Sequence, residues 1–214
     1  MEALDDKIMD TDTRTRIVVY DFLRRVFLHE PTDEFFGRLV ESGILEDLND
    51  LPGIAKMRSY VQSDLSSEDI DAVRQDFYQL FLGPRRLKAS PWESVYRSEL
   101  RLVNQKSTAE VRQLYARFGF ETEAGQLEDH FGTECDFLFR LCSLMGVIDE
   151  HGRSDLLGVQ KRFIGDHLLK WVPGFAEDIM KNALTDYFRG LGEFVGYWVR
   201  NEEEYLDTVW SESK

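Results

Sequence analysis

The sequence is poor in cysteine, and its two cysteines do not suit a disulfide or a metal site. Cys135 and Cys142 are seven residues apart in a segment with helical periodicity. Seven residues of helix separate two positions by about 10 Å along the axis, which is too far for a disulfide. No cysteine spacing typical of zinc or redox motifs is present. We therefore expect both residues to be small, buried core side chains.

Long apolar runs are also missing. No stretch approaches the roughly 18 apolar residues that a membrane span requires. The N-terminus, MEALDDKIMDTDTR, has no cationic segment followed by an apolar run, so it does not resemble a secretory signal. We expect a cytoplasmic protein that is not integral to a membrane, with residues 1–12 disordered.

Cations are the third shortage, since 26 Lys and Arg residues face 40 Asp and Glu residues, for a net charge of −14. This balance excludes nucleic acid as the main partner, because phosphate binding needs clustered cations. An acidic surface favours solubility and basic partners such as a cationic peptide. The 214-residue chain is 43% hydrophobic and can bury a substantial core, so we predict a single domain over residues 1–214.

Motifs of common catalytic sites are missing as well. There is no GxSxG, no glycine-rich phosphate loop and no HExxH, and no glutamate has a histidine three positions later. Asp129, His130 and Glu134 lie within about one helical turn, so a metal-dependent helical enzyme using these three residues is an alternative. A buried histidine hydrogen-bonded to a nearby carboxylate explains the same residues without a metal. We expect no metal and no cofactor.

Helical periodicity, by contrast, is present in segment after segment, and no segment shows strand alternation. Thr32 and Gly43 mark the two ends of one helix. Ser66 and Ser107, each with an acidic residue three positions later, resemble capping boxes. One helix is predicted from about Gln126 to Met145, and Pro173-Gly174 is predicted to punctuate another. The sequence thus predicts an all-α bundle of about nine to ten helices.

The segment LFLGPRRLKASPWESVY at residues 80–96 contains a loop at 83–91 between the N-terminal and C-terminal helical parts. Pro84 and Pro91 restrict its backbone at both ends. Trp92 and Tyr96, one helical turn apart, would form an aromatic wall that suits an apolar peptide, or a cationic one if carboxylates lie close. The alternative is that the two rings only pack the loop onto the bundle.

Six motifs in order resemble the TorD/DmsD/NarJ family of redox-enzyme maturation chaperones. They are YQLFLGP at 78–84, PWESVY at 91–96, STAEVRQLYARFGFE at 107–121, EDHFGTECDFL at 128–138, FIGDHLLKWVPGF at 163–175 and DYFRGLGEFV at 186–195. The resemblance covers most of the chain, from about Tyr20 to Trp198.

This resemblance implies a cytoplasmic all-helical protein without catalytic chemistry of its own. Family members bind the apo catalytic subunit of a molybdopterin oxidoreductase, often through its twin-arginine leader, and hold it for cofactor insertion before the Tat system exports it. A NarJ-type assembly chaperone for a non-exported nitrate reductase is the nearest alternative. The chain is expected to be a monomer or a domain-swapped dimer.

The resemblance also implies a peptide-binding site. The family hallmark is Glu-Pro-x-Asp-His; Asp129 and His130 match its last two positions, and Gln126-Leu127 replaces the Glu-Pro pair. The implied site residues are Trp92, Ser94, Tyr96, Gln126, Leu127, Asp129, His130, Glu134 and Phe137. Asp129 and Glu134 would bind the leader's arginines, while Trp92, Tyr96 and Phe137 would receive its apolar part.

Overall fold

The structure, a computed structural model, describes residues 11–62, 65–84 and 86–212, and within these ranges the regular elements are helices. They are α1 (Thr11–Leu28), α2 (Asp33–Ser42), α3 (Ile44–Asp47), α4 (Ile54–Gln62), α5 (Ser67–Phe77), α6 (Glu93–Arg97), α7 (Lys106–Arg117), α8 (Phe131–Leu144), α9 (Glu150–Phe163), α10 (Leu169–Asn182) and α11 (Asp186–Glu212). π-helical segments at Tyr78–Leu82 and Ile164–Leu168 follow α5 and α9. The all-α prediction is confirmed, and none of the helices described could span a bilayer.

Two predictions fall partly on residues outside the described ranges. Residues 1–10, for which disorder is predicted, lie outside them, whereas Thr11 and Asp12 begin α1. Residue 85 of the predicted loop at 83–91 also lies outside. The remaining described residues of that loop form no helix.

The helix ends test the capping predictions. The Thr32 hydroxyl accepts the N–H of Phe35 at 3.1 Å, and Gly43 ends α2 with a left-handed φ of 67°. Ser66 forms the predicted capping box at α5. The prediction for Ser107 was wrong, because α7 begins at Lys106, directly after an extended Gln105, and places Ser107 inside the first turn.

Contacts divide the chain into two compact units. The first unit contains the residues up to Leu28, the segment Trp92–Lys170 and the residues from Asn201 onward. The second contains His29–Pro91 and Trp171–Arg200. The single domain predicted from length stays a prediction.

The core of the first unit is built on α1 and α8. The rings of Phe27 and Phe131 meet edge to face with centroids 4.9 Å apart. A Cβ at Gly132 would lie 2.7 Å from the Leu28 side chain, so only glycine allows the two helices to approach so closely. Cys135 and Cys142 are buried and free, as predicted, and burial raises the pKa of both thiols, that of Cys142 to about 12.

A buried charge network ties α1, α9 and α11 together within this unit. Arg16 Nε donates to both carboxylate oxygens of Glu202 at 2.8 and 2.9 Å, and Arg16 Nη2 donates to Gln160 Oε1 at 2.6 Å. The Tyr20 hydroxyl donates to the same carboxylate at 2.6 Å. Arg16 and Glu202 are only 2% and 1% exposed. The carboxylate therefore has partners that compensate for its removal from water.

The second unit is held by aromatic packing and by a close backbone approach. Phe81 and Phe188 meet edge to face with centroids 5.5 Å apart. Gly53, with φ of 82°, comes so near to Gly190 of α11 that a Cβ on either residue would collide with the other's carbonyl oxygen. Gly190, a glycine of the DYFRGLGEFV motif, is therefore needed for this close packing, because any larger residue would collide with Gly53.

The prediction that Pro173-Gly174 punctuates a helix was wrong, since both residues lie inside α10. A proline in a helix interior costs about 3 kcal/mol through its missing N–H and steric clash. Neighbouring Trp171, Val172 and Phe175 are at most 1% exposed. Burying such side chains contributes about 1.5–3 kcal/mol each, so packing outweighs the cost of the proline.

Candidate functional site

The loop that precedes α6 is joined to the turn that precedes α8. The Glu93 N–H donates to the Asp129 carbonyl at 3.0 Å, and the Ser94 N–H donates to Asp129 Oδ2 at 2.8 Å. Trp92 and His130 form an isolated antiparallel bridge, and their rings meet edge to face at 5.5 Å. The structure therefore brings together four of the predicted site residues, Trp92, Ser94, Asp129 and His130, in the first unit.

His130 marks the true start of α8. The prediction that this helix begins near Gln126 was wrong, because His130 is the N-cap and its Nδ1 accepts the N–H of Gly132 at 3.1 Å. Gln126 and Leu127 lie in the preceding turn and are partly exposed. Burial lowers the pKa of His130 to about 3, so the ring is neutral and can act as an acceptor near neutral pH.

The Asp129 carboxylate joins the turn before α8 to the backbone of α6, because it accepts the Ser94 N–H. It is fully buried, and burial raises its pKa, while hydrogen bonding from Ser94 opposes that rise. A buried carboxylate that accepts a backbone N–H holds two chain segments in one register. The predicted pairing of a buried histidine with a carboxylate is replaced here by two separate bonds, since His130 and Asp129 each accept a backbone N–H.

Glu134 and Phe137 point into the interior as well. Glu134 is fully buried near Tyr115, whose pKa is raised by burial and by the charge of Glu134. Phe137 packs against Tyr115 and Phe163, with ring centroids 4.7 and 5.2 Å away. In this structure Glu134, Phe137 and Asp129 therefore form the base of the site and do not reach its surface.

A second group of buried polar side chains lies next to Asp129 and was not predicted from the sequence. Glu93 is fully buried, and its carboxylate lies 2.9 Å from His167 Nδ1 and accepts a hydrogen bond from Arg97 Nη1 at 2.5 Å. Arg97 also donates to the Asp166 carbonyl at 3.2 Å. The available signal was the repeated Asp-His dipeptide, at 129–130 and again at 166–167.

The partly exposed side of the site carries aromatic and acidic groups. Trp92 and Tyr96 are each partly exposed. Glu128, immediately before Asp129, forms a bidentate pair with Arg112 at 2.6 and 3.0 Å, and this hydrogen bonding lowers the pKa of Glu128. Arg112 is 56% exposed, so the guanidinium of this pair faces solvent.

An apolar loop follows α6 directly. Leu100, Leu102 and Val103 are 77%, 51% and 44% exposed, which is unusual for three apolar side chains within four residues. Between them Arg101 adopts a left-handed φ of 51° and places its guanidinium 5.0 Å from the centre of the Tyr96 ring. The stacked arginine thus anchors the loop to the site while its apolar neighbours remain in solvent.

The alternative metal site finds no support in this geometry. Across residues 11–62, 65–84 and 86–212, no group of three or more His, Cys, Asp or Glu side chains is placed to hold a metal ion. His130 Nδ1 and Asp129 Oδ2 are occupied by backbone N–H groups. Asp129 and His130 thus act as hydrogen-bond partners of the protein's own backbone.

Comparison with known proteins gives a family match over more than half of the chain. Residues 46–177 match the family model described as the nitrate reductase delta subunit. The matched range contains α4 to α9 and, with them, every residue of the predicted site.

Individual relatives are named chaperones. The chaperone protein TorD of Vibrio cholerae serotype O1 is 30% identical over 141 residues, which is 64% of either chain. TorD of Aliivibrio salmonicida is 25% identical over 89% of this chain and 94% of its own length. The Tat proofreading chaperone DmsD of Salmonella typhi is 25% identical over 80% of either chain. Among solved structures, a redox enzyme maturation protein from Archaeoglobus fulgidus matches with a TM-score of 0.49 and 15% identity, over 93% of this chain and 95% of its own.

Proposed function

Because the chain belongs to the TorD/NarJ family of redox-enzyme maturation chaperones, we propose that it binds the twin-arginine leader and the apo catalytic subunit of one molybdopterin oxidoreductase. In this proposal it acts in the cytoplasm and holds its client until the cofactor is inserted, before export by the Tat system. Like its relatives, which are named chaperones, the chain is a chaperone and not an enzyme.

One observation carries the choice of site, namely the attachment of the Trp92 loop to the Asp129–His130 turn by hydrogen bonds to backbone groups. The nine site residues then divide into two roles. Buried side chains position the site: Ser94, Asp129, His130, Glu134 and Phe137. Partly exposed side chains contact the leader: Trp92, Tyr96, Gln126 and Leu127.

The apolar part of the leader would lie on the surface next to Tyr96. Leu100, Leu102 and Val103 extend this surface, and covering them removes apolar area from water. The partly exposed Trp92 ring adds a further aromatic surface for this part of the leader.

The leader's arginines would bind carboxylates at the surface. Asp129 and Glu134 are too deeply buried for direct contact in this structure. Glu128 already accepts a bidentate guanidinium from Arg112, and a leader arginine would bind Glu128 in the same way in place of Arg112. Exposed Glu123, in the same turn region, adds negative charge.

The energetics favour a moderate affinity for an isolated leader. The leader is disordered when free, and ordering it costs a few kcal/mol of the gross interaction energy. Contacts with exposed charges are also screened by salt. We therefore expect micromolar or weaker binding that weakens further as ionic strength rises, with additional contacts supplied by the mature part of the client.

A titration of the client's leader peptide against its Arg-Arg to Ala-Ala variant, at low and high salt, tests the proposal. The wild-type leader should bind more tightly, and the difference should shrink at high salt. Tyr96→Ala should weaken binding, whereas Tyr78→Ala, at an exposed tyrosine of the second unit, should not. Equal affinity of the two leaders would remove arginine recognition from the proposal.

A second candidate function is favoured by the description of the matching family model, the nitrate reductase delta subunit. In this case the client is a nitrate reductase subunit that is not exported. Affinity capture from anaerobically grown cells, followed by sequencing of the captured client's N-terminus, separates the two. A client with an Arg-Arg leader supports the first function, and a client without one supports the second.

A further inference from the structure

A polar pocket in the first unit, separate from the apolar side of the candidate site, has the features of an anion site. It has a volume of about 240 Å³ and is lined by Ser94, Arg97, Ser98, Gln105, Lys106, Ser107 and Glu110. We propose that this pocket binds a small phosphate-type oxyanion at the N-terminus of α7. The proposal is independent of leader binding.

The first observation is the uncapped start of α7, a helix of 12 residues. Its N-cap residue, Gln105, makes no side-chain cap hydrogen bond, and no acidic residue lies in its first turn. The Gln105 amide instead donates to the carbonyls of Val103 and Asn104. Neither the N-cap side chain nor an acidic residue of the first turn therefore accepts the first-turn N–H groups, and the positive end of the helix dipole lies at the same place. Such a helix end attracts an anion.

The second observation is independent of the helix and concerns a hydroxyl. Ser107 lines the pocket and is 4% exposed, and its Oγ has no hydrogen-bond partner among the described residues. A buried hydroxyl without a partner is costly, so it favours the binding of a group that accepts its proton. An oxyanion accepts from this hydroxyl and from the first-turn N–H groups at once.

Charge at the pocket supports an anion and also limits its affinity. Arg97 and Lys106 contribute two cations; Arg97 is held by the buried Glu93, and Lys106 lies 3.2 Å from Glu110. Lys106 is 89% exposed and can turn toward a ligand at little cost. Glu110 repels an anion, so its removal should strengthen binding.

The pocket's size selects a small ligand. Its volume of about 240 Å³ is below the roughly 300–1,000 Å³ of sites that enclose drug-sized molecules. A free phosphate ion and the phosphate group of a larger molecule share the same recognition chemistry. The second would place the rest of the molecule outside the pocket.

Isothermal titration of the full-length protein with inorganic phosphate, at constant ionic strength set by chloride, tests the proposal. Saturable binding is expected for the wild type. Ser107→Ala and Lys106→Ala should each weaken it about tenfold, the effect of losing one hydrogen bond to a charged group. Glu110→Gln should strengthen it.

Lys56→Ala is the matched control, because Lys56 is an exposed, ion-paired lysine that lines a different pocket in the second unit. It should leave phosphate binding unchanged. A glycerol phosphate arm identifies the source: tighter binding than inorganic phosphate indicates a phosphomonoester, and weaker binding indicates the free ion. Absence of saturable binding, or equal losses in Lys56→Ala and Lys106→Ala, would overturn the proposal.

Discussion

The two compact units bury charge very differently. In the first unit, among the described residues, the buried acidic, arginine and histidine side chains are Arg16, Glu93, Asp129, His130, Glu134, His167 and Glu202. In the second unit, among the residues that the structure describes, Asp76 is the only buried Asp, Glu, Lys, Arg or His, and it accepts the N–H groups of Leu184 and Thr185 at 2.9 and 2.8 Å. The rest of that core is mainly apolar, and it includes aromatic rings in contact such as Phe77, Phe81 and Phe188.

This difference shows that the stability of a protein and the selection of one conformation depend on different interactions. A buried ion pair seldom stabilises a protein more than well-packed apolar side chains would, but its partners accept only one arrangement. In the first unit the buried polar groups fix the Trp92 loop, the start of α8 and the ends of α1 and α11. The candidate site lies in the unit whose conformation is set by hydrogen bonds.

The largest expected effect comes from breaking the Arg16–Glu202 pair. Glu202→Ala leaves the Arg16 guanidinium buried without its carboxylate and should destabilise the protein by about 3–5 kcal/mol in urea unfolding. An apolar double variant, Arg16→Met with Glu202→Leu, should recover most of the loss. Glu34→Ala removes an exposed ion pair of the second unit and should cost less than about 1 kcal/mol. A loss in Glu202→Ala no larger than that of Glu34→Ala would contradict the buried pairing of Arg16 with Glu202.

In the second unit the sensitive point is a backbone approach. Gly190→Ala places a methyl group against the Gly53 carbonyl and the Met57 side chain, and overpacking of this kind costs about 1–3 kcal/mol. Gly37→Ala in α2 is the control, since nothing lies within 4 Å of a Cβ there. Helix propensity should make that control more stable by up to about 1 kcal/mol. Equal thermal midpoints for the two variants would contradict the close packing.

The next effect is a pH dependence that arises at the candidate site. The unfolded chain protonates His130 below about pH 6.5, whereas the folded protein does so only near pH 3. Its contribution to stability is therefore complete above pH 6.5 and falls as pH decreases toward 3, by about 2 kcal/mol at pH 5.

Substitution of His130 isolates the contribution of this residue to the pH dependence of stability. His130→Asn keeps a good N-cap without a titrating group. The free energy of unfolding of this variant should decrease less than that of the wild type between pH 7 and pH 5. The carboxylates titrate in both proteins, so the difference between them reports the histidine. Parallel pH profiles would show that His130 is not buried as a neutral cap.

The smallest effect on stability is expected at the exposed Arg112–Glu128 pair. Arg112→Ala should leave the urea midpoint essentially unchanged, because the guanidinium is solvent-exposed. The same variant frees Glu128 for a leader arginine and should bind an Arg-Arg leader several-fold more tightly. Lys106→Ala, which removes another exposed cation, controls for net charge. A weaker affinity in Arg112→Ala would remove Glu128 from the proposed contact set.

The sequence predicted the fold well because helical periodicity and capping are local signals. The Thr32 cap, the Ser66 capping box and the buried cysteines agree with the structure. Local signals failed where long-range contacts decided the outcome. The Pro173 helix persists because its flanking side chains are buried. The start of α8 is delayed to His130 because the residues before it pair with the distant Trp92 loop. The single-turn helices α3 and α6 are too short to show periodicity.

The sequence indicated which residues of the candidate site lie together, but it did not indicate which of them are buried. The family resemblance implied that Trp92, Ser94, Asp129 and His130 share one site, and the structure places these four residues in contact. It could not show that Asp129 and Glu134 are buried, because a carboxylate in a sequence carries no sign of its exposure. Nor could it show the Glu93–His167 pair, whose members are 74 residues apart.

The buried thiols of α8 allow the transient exposure of that helix to be measured by chemical labelling. A thiol reacts as the thiolate, and burial raises the pKa of Cys135 and Cys142. An alkylating reagent can then modify either one only during moments when α8 separates from the helices packed against it, α1 and α9. The rate of labelling would measure those moments without any engineered probe, and a bound client that steadies the helix would slow it.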